Sequence, residues 1–329
     1  MQQTKRHHYV PKAYLKAFCD PTGRLLVYRK DQPGKVLPMT PDATQFRRYY
    51  YSQPMPNGGQ DNNQLEAFFS SIEGKWPPVV TSLRKRGEVS VQLMTDIFEF
   101  MALQFARVPA RRDLVEASLA QTVKTQLKAL DARGELPPPP SELPNILEEV
   151  VVAIDPHQSI HAMATVMRGM GELFNHIGLV VIHNGTPTPF LSSDNPVIWF
   201  DPSLPFDKQL PYTVNLDGGD ICFFFPVSPT MAILGTREQS ASYSQNGLTH
   251  QEAPHEEWVK AMNTQISRFA YEAVIACSPS QEDVVRQFAD ASPVLESTTI
   301  PTASGFISVS RQVFGKRTTK PKWEGLENS

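Results

Sequence analysis

The hydrophobic rhythm of the chain changes about halfway along. In the first half, apolar residues recur three and four apart, the spacing that lines one face of a helix. Tyr14, Leu15 and Phe18 follow it behind Pro11, which suits a first helical turn because its missing N–H is not needed there. The stretch NNQLEAFFSSIEGKW (62–76) predicts a helix capped by Asn62 or Asn63 and interrupted or ended by Pro77-Pro78. Residues 90–132 predict a long helical segment with one interruption at Pro109, and helical pattern returns at 142–153 and 156–176. Between these, GRLLVYRK (23–30) reads as a strand after a Pro-Thr-Gly turn, and residues 31–61 as a long irregular connection.

The second half reads differently. GLVVIH (178–183), PFLSSDNPVIWF (189–200), DICFFF (220–225) and TMAILG (230–235) are strand-length apolar runs between turn residues, with helices expected at 255–276 and 281–290. The expected fold class is α+β. A largely helical first half with an N-terminal hairpin-like strand region precedes a small mixed or antiparallel sheet flanked by helices. Four prolines at 137–140 make a stiff spacer. The expected organisation is one composite domain over 1–315, with a loose polar tail at 316–329. Within the domain, a helical region over 1–136 and a helix-plus-sheet region over 141–315 flank the Pro-rich linker 137–140.

Composition narrows the function classes. With 40% hydrophobic and 20% charged residues, the 329-residue chain can bury a core. A formal net charge of −3 excludes a wholesale basic surface and leaves room for a local basic patch. Cys19, Cys222 and Cys277 stand far apart, which fits neither a disulfide framework nor a zinc ribbon. The polar, basic N-terminus lacks the apolar stretch of a secretory signal, and the longest apolar runs fall well short of the ~20 residues that span a bilayer. A cytoplasmic protein with no membrane partner is expected. Neither GxGxxG after a strand, GxxxxGK[ST], GxSxG nor an EF-hand loop is present, which removes most support for Rossmann, P-loop and α/β-hydrolase enzymes.

Five stretches carry candidate chemistry. In TKRHHYVPKAYLKAF (4–18), side chains of an extended segment alternate, so His7 and His8 cannot both face one way. HHYVP resembles the first half of an HNH nuclease motif, but the Asn–His pair and zinc knuckle that complete it are missing. In QFARVPARR (104–112), a helix continuing through Pro109 would set Gln104, Arg107 and Arg111 on one face, able to fork a phosphate or carboxylate; a solvated charged face is the plainer reading. Glu66 and Glu73 lie two turns apart beside an apolar stripe, as an acid–base pair or as partners for the arginines of the next helix. In LSSDNPV (191–197), Asp194 is a candidate ligand, base or orienting carboxylate, or the centre of an Asx-turn. His157 and His161 have the i, i+4 spacing that permits metal binding, without the glutamate of HExxH.

Three features together resemble a known family. HHYVPKAYLKAF followed by GRLLVYRK, the LE…IE helix, and SSDNPV followed by FFFPVSP (223–229) are similar to the bacterial domain-of-unknown-function 4238 family over roughly residues 7–277. QFARVPARR also matches the Gln-x-x-Arg-x-Pro-x-x-Arg stretch of that family. The resemblance implies architecture and residue choice and supplies no reaction. The shared positions are His8, Pro11, Tyr14, Glu66, Glu73, Gln104, Arg107, Arg111, Asp194, Asn195 and Pro196. Several are ionisable, whereas a pattern built for packing alone would be mostly apolar residues and glycine.

The expected site is therefore composite, between the helical half and the sheet. His8 and Asp194 would be acid–base or metal-binding members, supported by Glu66 or Glu73. Arg107 and Arg111 would hold an anionic group that Gln104, Ser193 and Asn195 orient. Such a set points to a nuclease-like hydrolase of a phosphodiester or other anionic substrate, nucleic acid included, with a divalent metal as a possible cofactor. The alternatives are a non-catalytic binding or sensor domain for a nucleotide or acidic partner, and a buried salt-bridge network. An open pocket containing His8, Arg107 and Asp194 would favour enzyme or sensor. His8 is expected to pack against the 104–111 helix or the 192–196 loop, with Lys5 and Arg6 lowering its pKa.

Overall fold

The computed structural model describes residues 4–56, 58–302 and 305–324. Its centre is a five-stranded sheet in the order Thr249–Glu252, Gly178–His183, Met231–Thr236, Cys222–Ser228, Ile198–Phe200, antiparallel except for the first pair. Every residue of CFFFPVS is buried, because both faces of this sheet are covered. Alternate side chains serve two cores. Leu179, Val181, Phe223, Phe225 and Ile233 pack in one cluster with Phe100 and Leu173 of the helices Val91–Arg107 and Met163–Phe174. Val180, Ile182, Phe224 and Ala232 pack in the other with Val259, Ile266 and Phe269 of the helix Glu256–Phe269. The fold is α+β, as the pattern predicts.

A second, fully antiparallel sheet joins distant segments of the chain in the order Val36–Met39, Leu25–Arg29, Ala273–Ala276, Ser192–Ser193. The strand expected in GRLLVYRK is present, and its hairpin partner lies within the stretch expected to be irregular. The helix expected at 255–276 stops at Phe269, where Ala270 turns extended (φ −53°, ψ 136°), and AVIA becomes a strand buried on both faces. Four apolar residues suit a buried helix turn or a buried strand equally, so the sheet decides.

Prolines set two further helix boundaries, and the one at Pro109 is the interruption expected there. Pro77 and Pro78 start a second helix, Trp76–Arg84, after Gln64–Glu73; in a first turn their missing N–H groups cost nothing. At Val108 the backbone is extended (φ −71°, ψ 153°), because Pro109 crowds a helical conformation at the residue before it. The segment 90–132 is thus two helices, Val91–Arg107 and Pro109–Ala132.

The long hairpin Ser292–Thr302/Gly305–Gly315 is an element that the sequence pattern does not announce. Of the expected loose tail 316–329, the first residues are held: Arg317 bonds Glu272 at 3.1 Å, and Lys320 pairs with Asp113 at 3.3 Å and with Glu116. Residues 325–329 lie outside the described residues. Among the described residues no helix is long and apolar enough to cross a membrane.

Candidate functional site

The opening strand Arg6–His8 pairs antiparallel with Phe46–Arg48, His8 opposite Phe46 and Arg6 opposite Arg48. Alternation sends the two histidines to opposite sides. His7 is fully buried. Its Nδ1 accepts the Tyr51 N–H at 2.8 Å, its Nε2 lies 3.1 Å from the Thr4 carbonyl, and its ring stacks on Tyr51 at 5.8 Å with 4° between the planes. His7 is therefore a satisfied structural histidine. His8 points the other way and lines a cleft.

The next residue anchors this strand to the helices. The Tyr9 carbonyl accepts from Gln104 Nε2 at 3.2 Å and from Arg107 Nε at 3.0 Å. Arg107 is fully buried, and its Nη1 donates to Glu73 Oε1 at 2.6 Å while the guanidinium lies 5.3 Å from the Phe69 ring centroid. The carboxylate–arginine pairing foreseen for the LE…IE helix is thus made by Glu73, leaving Glu66 without such a partner.

The cleft has a volume of about 1000 Å³ and is lined by Thr4, Lys5, Arg6, His8, Lys12, Asp42, Asn63, Glu66, Ala67, Ser70 and Glu73. Among the described residues, two of its groups are buried without any protein hydrogen-bond partner, His8 Nε2 and Glu66 Oε1. Burial, followed by the nearby Lys12 ammonium, lowers the His8 pKa to about 4. Burial raises the Glu66 pKa to about 7 against the opposing pull of Arg107. The imidazole is consequently neutral at neutral pH, and Glu66 exchanges its proton there. The lowering expected for His8 from Lys5 and Arg6 comes instead mainly from burial and Lys12.

The remaining expected site residues go elsewhere. Asp194 does not line the cleft. It is fully buried and accepts the Tyr271 N–H on Oδ1 at 2.7 Å and the Glu272 N–H on Oδ2 at 2.5 Å, tying the SSDNPV segment to the strand Ala273–Ala276. Burial, then the Glu272 charge, raises its pKa to about 6. Ser193 Oγ accepts the Asn195 N–H at 3.1 Å. Asn195 Nδ2 donates to Tyr212 Oη at 2.6 Å and to the Phe269 carbonyl at 2.8 Å, closing the end of the helix Glu256–Phe269. Neither faces the cleft.

Arg111 is separated from Gln104 and Arg107 by the break at Val108. Its guanidinium is sandwiched between Phe105 and Tyr212, 3.8 and 3.7 Å from their ring centroids, and Nη1 donates to Gln312 at 3.3 Å. Burial lowers its pKa to about 10. Its expected pairing with Arg107 on one anion is not what the structure brings together. His157 bonds Asp155 at 2.7 Å at a helix start, and among the described residues no group of three or more His, Cys, Asp or Glu side chains could hold a metal ion.

Lys12 and Asp42, paired at 2.9 Å on the cleft wall, are members that sequence reasoning missed. Lys12 could have been found, since it follows Pro11 in the opening motif. Nothing local marks Asp42, which sits in a short 3-10 turn of the connection expected to be irregular.

The motifs that suggested a family also meet in space. Tyr14 Oη lies 2.6 Å from Ser192 Oγ and donates to the Pro226 carbonyl at 2.7 Å, so HHYVPKAYLKAF, SSDNPV and FFFPVSP converge on one hydroxyl. Residues 6–280 match the family model described as Protein of unknown function (DUF4238), and the chain belongs to that family. No curated protein and no solved structure matches the chain.

Proposed function

We propose that the cleft hydrolyses an anionic ester, a phosphodiester in the first instance, by acid–base chemistry between His8 and Glu66. The observation that carries this reading is the pair of buried, unpartnered polar atoms, His8 Nε2 and Glu66 Oε1, in a cleft whose wall also carries Lys5, Arg6 and Lys12. Structural polar groups at this depth normally have partners, as His7 does. A neutral imidazole accepts a proton from water as it attacks phosphorus. A carboxyl group with a pKa of about 7 delivers a proton to the leaving oxygen as the P–O bond breaks. The lysines and the arginine offset charge on the phosphoryl oxygens. Glu73, held by Arg107, lines the same cleft.

Hydrolysis of bis-p-nitrophenyl phosphate by the purified chain tests this reading. Turnover reduced about 100-fold or more in both His8→Asn and Glu66→Gln is the expected result. Turnover unchanged in both would overturn it. Tight binding of the diester without turnover in the wild type would replace the hydrolase with a non-catalytic anion-binding domain at the same cleft.

A further inference from the structure

The register of the opening ribbon places two arginines directly opposite each other. Arg6 faces Arg48 across the antiparallel pair, and His8 faces Phe46 two residues on, so these four side chains share one face. The other face carries His7 and Arg47, and Arg47 reaches Glu272 at 2.8 Å. Like charges set opposite each other in a ribbon repel, and an antiparallel pair ordinarily avoids them or supplies a carboxylate. Here neither is done. Among the described residues, Lys5, Arg6 and Arg48 form no ion pair, whereas Lys12 is matched by Asp42 and Arg107 by Glu73. Lys5, Arg6 and Arg48 thus carry charge that no carboxylate pairs, on a chain whose net charge is −3.

An exposed aromatic ring adjoins this track. Tyr49 follows Arg48, is 43% exposed, and its N–H donates to the Lys5 carbonyl at 3.1 Å. It is held at φ +54°, a conformation uncommon for a bulky residue. Arginines beside an exposed ring are the combination that follows a phosphate backbone while a base stacks. An acidic peptide would use the charge alone and leave the ring without a role, and a duplex keeps its bases stacked internally.

We infer that the face formed by Arg6 and Arg48, with Tyr49 beside it, is a binding track for single-stranded nucleic acid that leads the chain into the cleft. The inference rests on the proposed phosphodiester chemistry for its direction and names the substrate class of that site.

The test is fluorescence anisotropy of a labelled 12-nucleotide oligo-dT with the full chain across a potassium chloride series. Arg48→Ala should weaken binding and lower the slope of log affinity against log salt by about 0.7, one phosphate contact on a single strand. Arg48→Lys should keep that slope. Tyr49→Ala should weaken binding roughly five- to hundred-fold with the slope unchanged. Turnover of bis-p-nitrophenyl phosphate by Arg48→Ala should match the wild type, because Arg48 does not line the cleft. The inference is overturned by an unchanged slope in Arg48→Ala. Preference for polyglutamate or for duplex DNA over the oligonucleotide overturns it equally. Oligonucleotide binding with the expected slopes, but no diester turnover, would remove the hydrolase and leave the track standing.

Discussion

Arg107 and Glu73 form a 2.6 Å ion pair whose arginine is fully buried and whose carboxylate faces the cleft. The same guanidinium holds the Tyr9 carbonyl through Nε, so one side chain fixes both the opening strand and the carboxylate beside His8 and Glu66. Arg107→Ala would leave Glu73 without its donor and the Tyr9 carbonyl with Gln104 Nε2 alone. A stability loss of about 3–5 kcal/mol is expected, read as a shift in urea midpoint. Arg107→Lys should recover only some of it, since an ammonium cannot span both acceptors in the arginine's fork geometry.

The two histidines should separate cleanly. His7→Ala removes the acceptor of the buried Tyr51 N–H and should cost about 1–3 kcal/mol. His8→Ala removes no protein hydrogen bond of its ring Nε2 and should leave the thermal midpoint within a degree or two while diester turnover falls. Equal destabilisation by both substitutions would make His8 a second structural histidine.

Glu66 sets a pH dependence of stability with a definite sign. Its folded pKa of about 7 lies above the ordinary carboxylate value, so the folded state holds its proton more tightly than the unfolded chain. That contribution is fully present below about pH 4.5 and is lost as pH rises through 7. Glu66→Gln should therefore match the wild type near pH 4 and exceed it by about 1–3 kcal/mol at pH 8. His8 works in the opposite sense: its folded pKa of about 4 gives stability present above pH 6.5 and lost as pH falls towards 4. Denaturant midpoints of the wild type, Glu66→Gln and His8→Asn at pH 5 and pH 8 resolve the two. A Glu66→Gln advantage that does not grow with pH would refute the assignment.

Asp194 is expected to be a folding residue. Asp194→Ala leaves the Tyr271 and Glu272 N–H groups without acceptors and should cost roughly 2–5 kcal/mol. In the fraction that remains folded, specific diester turnover should stay within about two-fold of the wild type, because Asp194 is outside the cleft. Activity lost without loss of stability would return it to the site.

What the sequence determined by itself is what short-range periodicity can carry. The interruption at Pro109, the strands in GLVVIH, DICFFF and TMAILG, and the α+β order of elements follow from local spacing, proline sterics and burial. The carboxylates Glu66 and Glu73 and the histidine His8 were legible as candidates because their residue types are costly to bury without a reason. Tertiary structure alone decided which of them share a space. Strand pairing chose His7 for the core and His8 for the cleft, a choice between two adjacent identical residues that no local pattern makes. The extended backbone at Val108 took Arg111 from the face of Arg107 and gave it to Phe105 and Tyr212. Two N–H groups 77 and 78 residues away in sequence turned Asp194 from a catalytic candidate into a brace. Each outcome depends on contacts between residues far apart in the chain, and the energy of such a contact is not written in the residues on either side of it.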